Sequence, residues 1–362
     1  MNEHICLSCF HDKGASRACP HCGYIETAQR KRSLLPARYV LQNRYIVGEH
    51  LSTDKNGVCY KGFDMQTQQI VEIQEHFPRE IVMRADDGVT LVPLSSGDTD
   101  WPCSGVRRIY ENAQTMKQYS QCEGLLHIYD AFEANRTVYV VNEYLEGMLL
   151  EDYLGQCGGA VDTDTALKII LPILDGLGQL HKNNLIHRAV TPKNIVITSD
   201  DTVKLINFVF LKESTPYTEN EMTVYFSPGY APYEQYVSKE RRGPYTDIYS
   251  VGAVLYRMLL GRAPADAVAR MEDDTLQEDL TGTGLPEHIV LAILKAMNMN
   301  KDRRYKSTTD MKNVLLALTP PVDVDDELNK IERRKQIAVI CGLAVVLTAL
   351  LALLVVTVIK RF

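Results

Sequence analysis

Ile337 to Ile359 is a run of 23 residues without a single charge. As a helix rising about 1.5 Å per residue, it covers a hydrocarbon layer of ~30 Å with little tilt. Inside lipid, every backbone N–H and C=O must find its partner within the segment, so a helix is the local solution. A buried core helix is the rival reading, but helices apolar on every face over this length are rarely that. The expectation is a transmembrane helix over 337–359, preceded by a juxtamembrane segment over 319–336. Lys330, Arg333, Arg334 and Lys335 precede the run and Lys360 and Arg361 follow it, a bias that barely orients the helix. Orientation rests instead on the cysteines.

Nine cysteines occur among the 362 residues. Cys6, Cys9, Cys19 and Cys22 cluster, whereas Cys59, Cys103, Cys122, Cys157 and Cys341 are scattered. An odd count without a secretory apolar segment in the first thirty residues argues against a disulfide framework. The chain is therefore expected at the cell membrane as a single-pass protein, with its N-terminal domains in a reducing cytoplasm. With 45% hydrophobic and 23% charged residues the chain is globular. A formal net charge of −7 excludes bulk nucleic-acid binding and fits ordinary solubility.

The cluster reads Cys6-Leu-Ser-Cys9 and Cys19-Pro-His-Cys22-Gly23. Two Cys-x-x-Cys pairs on tight turns can present four thiolates to one tetrahedral Zn²⁺, and Gly23 suits the backbone of the second turn. Thiol redox chemistry is the rival reading, but it needs only one such pair. His4, His11 and His21 could replace a cysteine, although four cysteines suffice. So short a segment cannot bury a core, so metal would supply its folding energy. Residues 1–28 are read as a structural zinc ribbon with no open coordination position, like those at the ends of many bacterial proteins, and 29–43 as a polar linker.

Between residues 44 and 318 the pattern runs from short strands to helices. Arg44–Val47, Val58–Gly62, Ile70–Ile73 and Val138–Val141 read as strands, and Thr165–Lys182, Thr246–Leu260 and Leu285–Met297 as helices. Ordered motifs lie on this frame. His187-Arg188-Ala189-Val190-Thr191-Pro192-Lys193-Asn194 resembles a protein-kinase catalytic loop, and Asn207-Phe208-Val209 sits where a metal-binding Asp-Phe-Gly would follow. Gly229–Glu234 resembles the Ala-Pro-Glu closure of an activation segment, Asp247–Gly252 the buried helix after it, and Lys301–Tyr305 the terminal arginine motif. The stretch is similar to the bacterial serine/threonine kinases of eukaryotic type. That resemblance implies an α+β, bilobal protein-kinase-like fold over 44–318. It also implies that Asp247 anchors the catalytic-loop backbone, that Glu234 pairs with Arg304, and that His187, Phe208 and Met116 stack between the lobes.

The departures fall on the chemistry. Of three loop glycines only Gly57 stands, and Asp54 would place a carboxylate where phosphate should lie. The third strand reads Val71-Glu72-Ile73-Gln74 instead of Val-Ala-Ile-Lys, so Gln74 replaces the phosphate-holding lysine and Glu72 the alanine above the adenine. On the following helix Asn112 takes the place of the glutamate that pairs with that lysine, with Glu111 as the one-residue alternative. A Gln74–Asn112 hydrogen bond would be a neutral substitute for the ion pair. Ala189 replaces the aspartate that orients the substrate hydroxyl, Asn194 keeps the position of a magnesium ligand, and Asn207 is a weaker ligand than the usual aspartate. Gly57 and Asn194 thus mark a vestigial nucleotide and metal site, and ordinary ATP–Mg²⁺ binding is not expected. Arg188 could engage a phosphorylated Thr218, Thr223 or Tyr225, or merely pack locally.

The reading that follows is a membrane-anchored pseudokinase, not an enzyme, that acts as a signalling or assembly scaffold through protein partners. The alternatives are an atypical serine/threonine kinase with weak ATP-dependent activity, and a structural component of a membrane secretion or envelope complex. Oligomeric state is left open.

Overall fold

The computed structural model describes residues 4–26, 30–54, 57–94, 104–119, 121–207, 227–237 and 242–318. The expected membrane helix over 337–359 lies outside them. No helix among the described residues is long and apolar enough to cross a membrane.

The small lobe is one antiparallel sheet in the order β1 (Val40–Leu41), β2 (Tyr45–Thr53), β3 (Gly57–Asp64), β4 (Gln69–His76), β8 (Thr137–Glu143), β7 (Ile128–Ala134). Alternation along β4 explains its two faces. Val71, Ile73 and Glu75 are buried, while Glu72, Gln74 and His76 are only partly covered. Tyr45, Tyr60, Val71, Ile73, Tyr139 and Val141 form the core beneath the sheet. Helix α1 (Ser104–Lys117) packs on β7 and β8.

A hairpin of β5 (Val82–Arg84) and β6 (Leu91–Pro93) follows β4 in the chain and precedes α1. Its Arg84 reaches back to the fully buried Glu75 at 2.6 Å, and Tyr60 and Tyr139 donate to the same carboxylate at 3.0 and 2.8 Å. Arg84 also donates to the carbonyls of Ser33 and Val89. Every oxygen of the buried acid is thereby bonded, the condition under which burying a charge is tolerated.

In the large lobe, α3 (Thr163–His181), α5 (Pro244–Leu260), α8 (Glu287–Ala296) and α9 (Thr308–Leu315) enclose the second core. Asp162 caps α3 by accepting from the Thr165 N–H at 2.9 Å, and Ala166, Ile169, Ile170, Ile173, Leu174, Leu177 and Leu180 follow at helical spacing. Pro244 opens α5 and Gly261, at φ +74°, closes it. Shorter helices α2 (Leu150–Gln156), α4 (Tyr233–Tyr236), α6 (Ala267–Glu272) and α7 (Leu276–Leu280) lie in the same lobe, and β9 (Gly147–Leu149), β10 (Ile195–Thr198) and β11 (Val203–Leu205) form a small sheet.

The cysteine-rich segment rests on the small lobe. Leu7 and Phe10 are buried, Phe10 stacks on Phe63 with ring centres 5.4 Å apart, and the Glu49 N–H donates to the Leu7 carbonyl at 2.9 Å. Only glycine fits at position 48, because a Cβ there would strike the Leu7 carbonyl and the Phe10 ring. Arg38 ties both parts together, donating to the Ile5 carbonyl and pairing with Glu26 at 2.7 Å. Arg30, from the basic stretch, donates to the Gly48 carbonyl at 3.0 Å.

Candidate active site

The large-lobe side of the cleft is set by one buried carboxylate. Asp247 accepts the backbone N–H of His187 at 2.8 Å and of Arg188 at 2.6 Å, and meets His181 Nε2 at 2.8 Å. Burial alone would push this carboxyl up. The His181 hydrogen bond, the neighbouring imidazoles and the Arg188 amide outweigh it and hold its pKa below the usual value. The anchoring lets Arg188 keep a left-handed φ of +67°. Gln235 then fastens the loop from outside by donating to the Arg188 carbonyl at 3.1 Å.

His187 is wholly buried between the Ala189 N–H, which donates to Nδ1 at 3.2 Å, and the Ile206 carbonyl, 3.2 Å from Nε2. That pattern fixes a neutral ring protonated on Nε2. Burial drives its pKa from 6.5 to about 4, against the opposing pull of Asp247. The unfolded chain therefore takes up this proton first, and stability falls as the pH drops from 6.5 towards 4. The expected loss reaches about 3 kcal/mol. Urea melts at pH 7 and pH 4.5 check it, and a His187→Phe variant losing as much over that window refutes the assignment to His187.

At the phosphate end, the structure brings Asn194 and Asn207 together. Asn207 Nδ2 donates to Asn194 Oδ1 at 2.9 Å, and Asn194 Nδ2 donates to the Ala189 carbonyl at 2.8 Å. Asn207 holds φ at +61°, a region that asparagine tolerates. These two neutral amides, one with its proton aimed at the other's oxygen, fit a hard dication poorly. Phe208, Thr218, Thr223 and Tyr225 lie outside the described residues.

The small-lobe side confirms the shared face of Glu72 and Gln74. Their cross-strand partners are Lys61 and Asn142 for Glu72, and Cys59 and Val140 for Gln74. Glu72 accepts from Asn142 Nδ2 at 3.2 Å. Burial pushes the Glu72 carboxyl up, and that hydrogen bond only partly offsets it. Lys61, opposite Glu72, instead sets its ammonium over the Tyr144 ring, 4.3 Å from the centre. At the loop tip Asp54 accepts the Gly57 N–H at 2.7 Å, so the remaining loop glycine's amide is already engaged by the carboxylate expected to repel phosphate. A Cβ at Gly57 would press on the Glu75 carbonyl. Asn112 is half-buried on α1, whereas Glu111 is exposed and pairs with Arg107 at 3.0 Å, which removes it as the cleft acid. Asn142 was missed in the sequence. Its signal was a polar residue ending the apolar run Val138–Val141, just before the segment that joins the lobes.

The four thiols converge as the spacing predicts. Their sulfurs all lie within 4.8 Å of one another, with Cys6–Cys22 and Cys9–Cys19 each at 3.6 Å. A tetrahedral metal with ~2.3 Å bonds to sulfur sets its ligands about 3.8 Å apart, so the group fits such an ion. Burial pushes Cys19 up, but N–H groups of Cys22 and His21 and the neighbouring thiols bring it down to about 6.

A cleft between a small lobe built on a six-stranded sheet and a helical large lobe, with a catalytic-loop segment pinned by Asp247, defines a protein-kinase fold. The family sequence pattern described as "Protein kinase domain" matches residues 55–319, and the chain belongs to that family. Among its relatives, the serine/threonine-protein kinase PrkC of Bacillus subtilis is 28% identical over 220 residues, 57% of this chain and 33% of PrkC. PknB of Mycobacterium leprae is 26% identical over 261 residues, 67% of this chain and 40% of PknB. The chain thus spans between a third and two fifths of the length of these relatives. Among solved structures, "PpkA-294 apo form" superposes with a TM-score of 0.68 at 24% identity, covering 78% of this chain and 99% of that one. The PknI kinase domain of Mycobacterium tuberculosis gives a TM-score of 0.55 at 14% identity, covering 79% and 100%. Both likenesses concern the fold.

These findings overturn the expectation that the chain is not an enzyme. The family match covers residues 55–319, from Gly57 past Asn207 to Arg304, and the relatives that share it are named as serine/threonine kinases. The replacements at Gln74, Asn112, Ala189 and Asn207, taken together, are what the expectation of inactivity rests on. The frame around these positions is intact, held by Asp247, Asn194 and the Glu234–Arg304 pair.

Proposed function

We propose that the chain is an atypical serine/threonine protein kinase that transfers phosphate from ATP slowly. The observation that carries this reading is the anchored catalytic loop, in which Asp247 accepts the His187 and Arg188 amides at 2.8 and 2.6 Å and Asn194 donates to the Ala189 carbonyl at 2.8 Å. Positioning accounts for much of the catalysis in phosphoryl transfer, so a preserved frame supports residual turnover even with Ala189 in place of the base. The missing carboxylates and lysine make that turnover weak. Cys6, Cys9, Cys19 and Cys22 would hold a structural Zn²⁺, and the 337–359 run would anchor the kinase to a membrane, with the kinase domain on the cytoplasmic side and protein substrates or partners there.

The test is autophosphorylation and transfer to a generic protein substrate by the full chain in detergent, with radiolabelled ATP. Measurable transfer that disappears in Asn194→Ala is expected. Ala189→Asp, which restores a hydroxyl-orienting carboxylate, should raise the rate by about a hundredfold. Label incorporation equal in wild type, Asn194→Ala and Ala189→Asp would remove the proposal.

A further inference from the structure

The contacts between the thiol segment and the small lobe fall on one irregular stretch of β2. Val47 stands opposite Gly62 and His50 opposite Tyr60, so Gly48 and Glu49 together face Lys61 alone. Ser52 then stands opposite Cys59, which leaves Leu51 without a counterpart. Two bulges between Val47 and Ser52 interrupt the ladder and bend the strand. A backbone group released by a bulge still needs a partner where it is covered. At this place the partners come from outside the sheet. The Glu49 N–H donates to the Leu7 carbonyl at 2.9 Å, and the Gly48 carbonyl accepts from Arg30 Nη1 at 3.0 Å. The Ser8 hydroxyl donates to Glu49 Oε1 at 3.4 Å, and the Phe10 ring stands where a side chain at position 48 would go.

The docking groups belong to the metal-binding turn itself. Leu7 and Ser8 are the two residues between Cys6 and Cys9, and Phe10 follows directly. Four thiolates drawn to one ion fix the backbone of such a turn. Without the ion, so short a segment has no core to hold its shape. We propose that the thiol segment is a metal-dependent brace on the two bulges of β2. With the ion bound, Leu7 and Phe10 hold the bulged stretch, and through it the outer half of the β2–β3 hairpin, where His50 and Thr53 face Tyr60 and Val58. Without it, that half is tied to the rest of β2 only through an interrupted ladder and moves more freely. Cys59 on the same half is the direct partner of Gln74 on β4, so the motion reaches the cleft wall. Availability of a thiophilic metal thereby regulates transfer. The regulation rests on the kinase reading above, whereas the brace stands on the hairpin's own geometry.

The experiment is amide hydrogen exchange on the full chain in detergent, loaded with Zn²⁺ or stripped by a zinc chelator that is then dialysed away. Amides of residues 49–53 and 58–60 are expected to exchange about tenfold or more faster after stripping, the scale of a lost hydrogen bond and its packing. Those of α3 and α5 should keep their rates. Gly48→Val keeps the four thiols but leaves no room for the Phe10 ring, so it should loosen the same amides with the metal still bound. Phe10→Ala leaves β2 unaltered and serves if Gly48→Val loses the ion or does not fold. Equal exchange in the loaded and stripped chains, or in the wild type and the docking variant, overturns the brace. Transfer from radiolabelled ATP is measured on the same samples and should fall about tenfold on stripping, because a displaced wall misplaces the reacting groups. Undiminished transfer despite faster exchange overturns the regulation. A loaded wild type that transfers no phosphate overturns the kinase reading, and the exchange rates then decide the brace by themselves.

Discussion

Arg304→Met should lower the stability of the large lobe by about 3–5 kcal/mol, the cost of stranding one partner of a buried ion pair. The Arg304 and Glu234 side chains are 0% and 4% exposed and meet at 2.6 Å. Arg304 further donates to the carbonyls of Asn298 at 2.7 Å and Tyr245 at 3.1 Å, and lies 4.9 Å from the Tyr249 ring centre. Glu234 also accepts from the Thr246 hydroxyl at 3.1 Å. One guanidinium thereby ties α4, the start of α5 and the chain after α8. Lysine cannot reproduce that fan of donors, so Arg304→Lys should rescue little. Combining Arg304→Met with Glu234→Gln should recover part of the loss, because the stranded charge goes with it. Urea unfolding of the three variants measures this, and an Arg304→Met cost below about 1 kcal/mol, the level of an exposed pair, would show that the bridge is idle.

The second large effect concerns the thiol cluster. The purified chain is expected to carry one Zn²⁺, and a Cys6→Ser/Cys19→Ser variant none. Metal binding contributes on the order of 10 kcal/mol to the folding of such small units, so its loss should unfold residues 4–26 outright. Unfolding withdraws Leu7 and Phe10 from Gly48 and Phe63 and frees Arg38 from Glu26. Protease should then cut before β1 far faster, while the large lobe melts as before. Gly48→Val separates docking from metal binding. It should keep the zinc and still expose the segment to protease, because the added side chain meets the Phe10 ring. A zinc-free chain that resists cleavage as well as the wild type would refute this account.

Much of the fold could be read from the sequence because it rests on periodicity. The strands around Tyr60, Ile73 and Val140 and the helices α3, α5 and α8 arise within a few residues of their expected limits, whereas the strand at Ile46 continues past its expected end at Val47 to Thr53. The Asp247 anchor and the Glu234–Arg304 pair were legible for a different reason: each is carried by a motif with fixed spacing. The Glu75–Arg84 pair was not, since Arg84 belongs to a hairpin whose three-residue strands give too little alternation to detect. The Glu72–Asn142 contact depends on register across two strands separated by some 70 residues, which no local pattern reveals. Docking of the thiol segment escaped notice likewise. Its signal was the absence of a side chain at Gly48, and an absence has meaning only when the neighbour is known.

That docking has a consequence for handling the protein. Beyond its short pairing with β1, strand β2 has β3 on one side, and on the other side the Leu7 carbonyl receives the Glu49 amide. The thiol segment thus works as an edge guard. A chain made in metal-poor medium would present the outer rim of β2 to other chains, and open rims of this kind recruit further strands. Zinc supply during production should therefore govern aggregation and yield, quite apart from any effect on turnover.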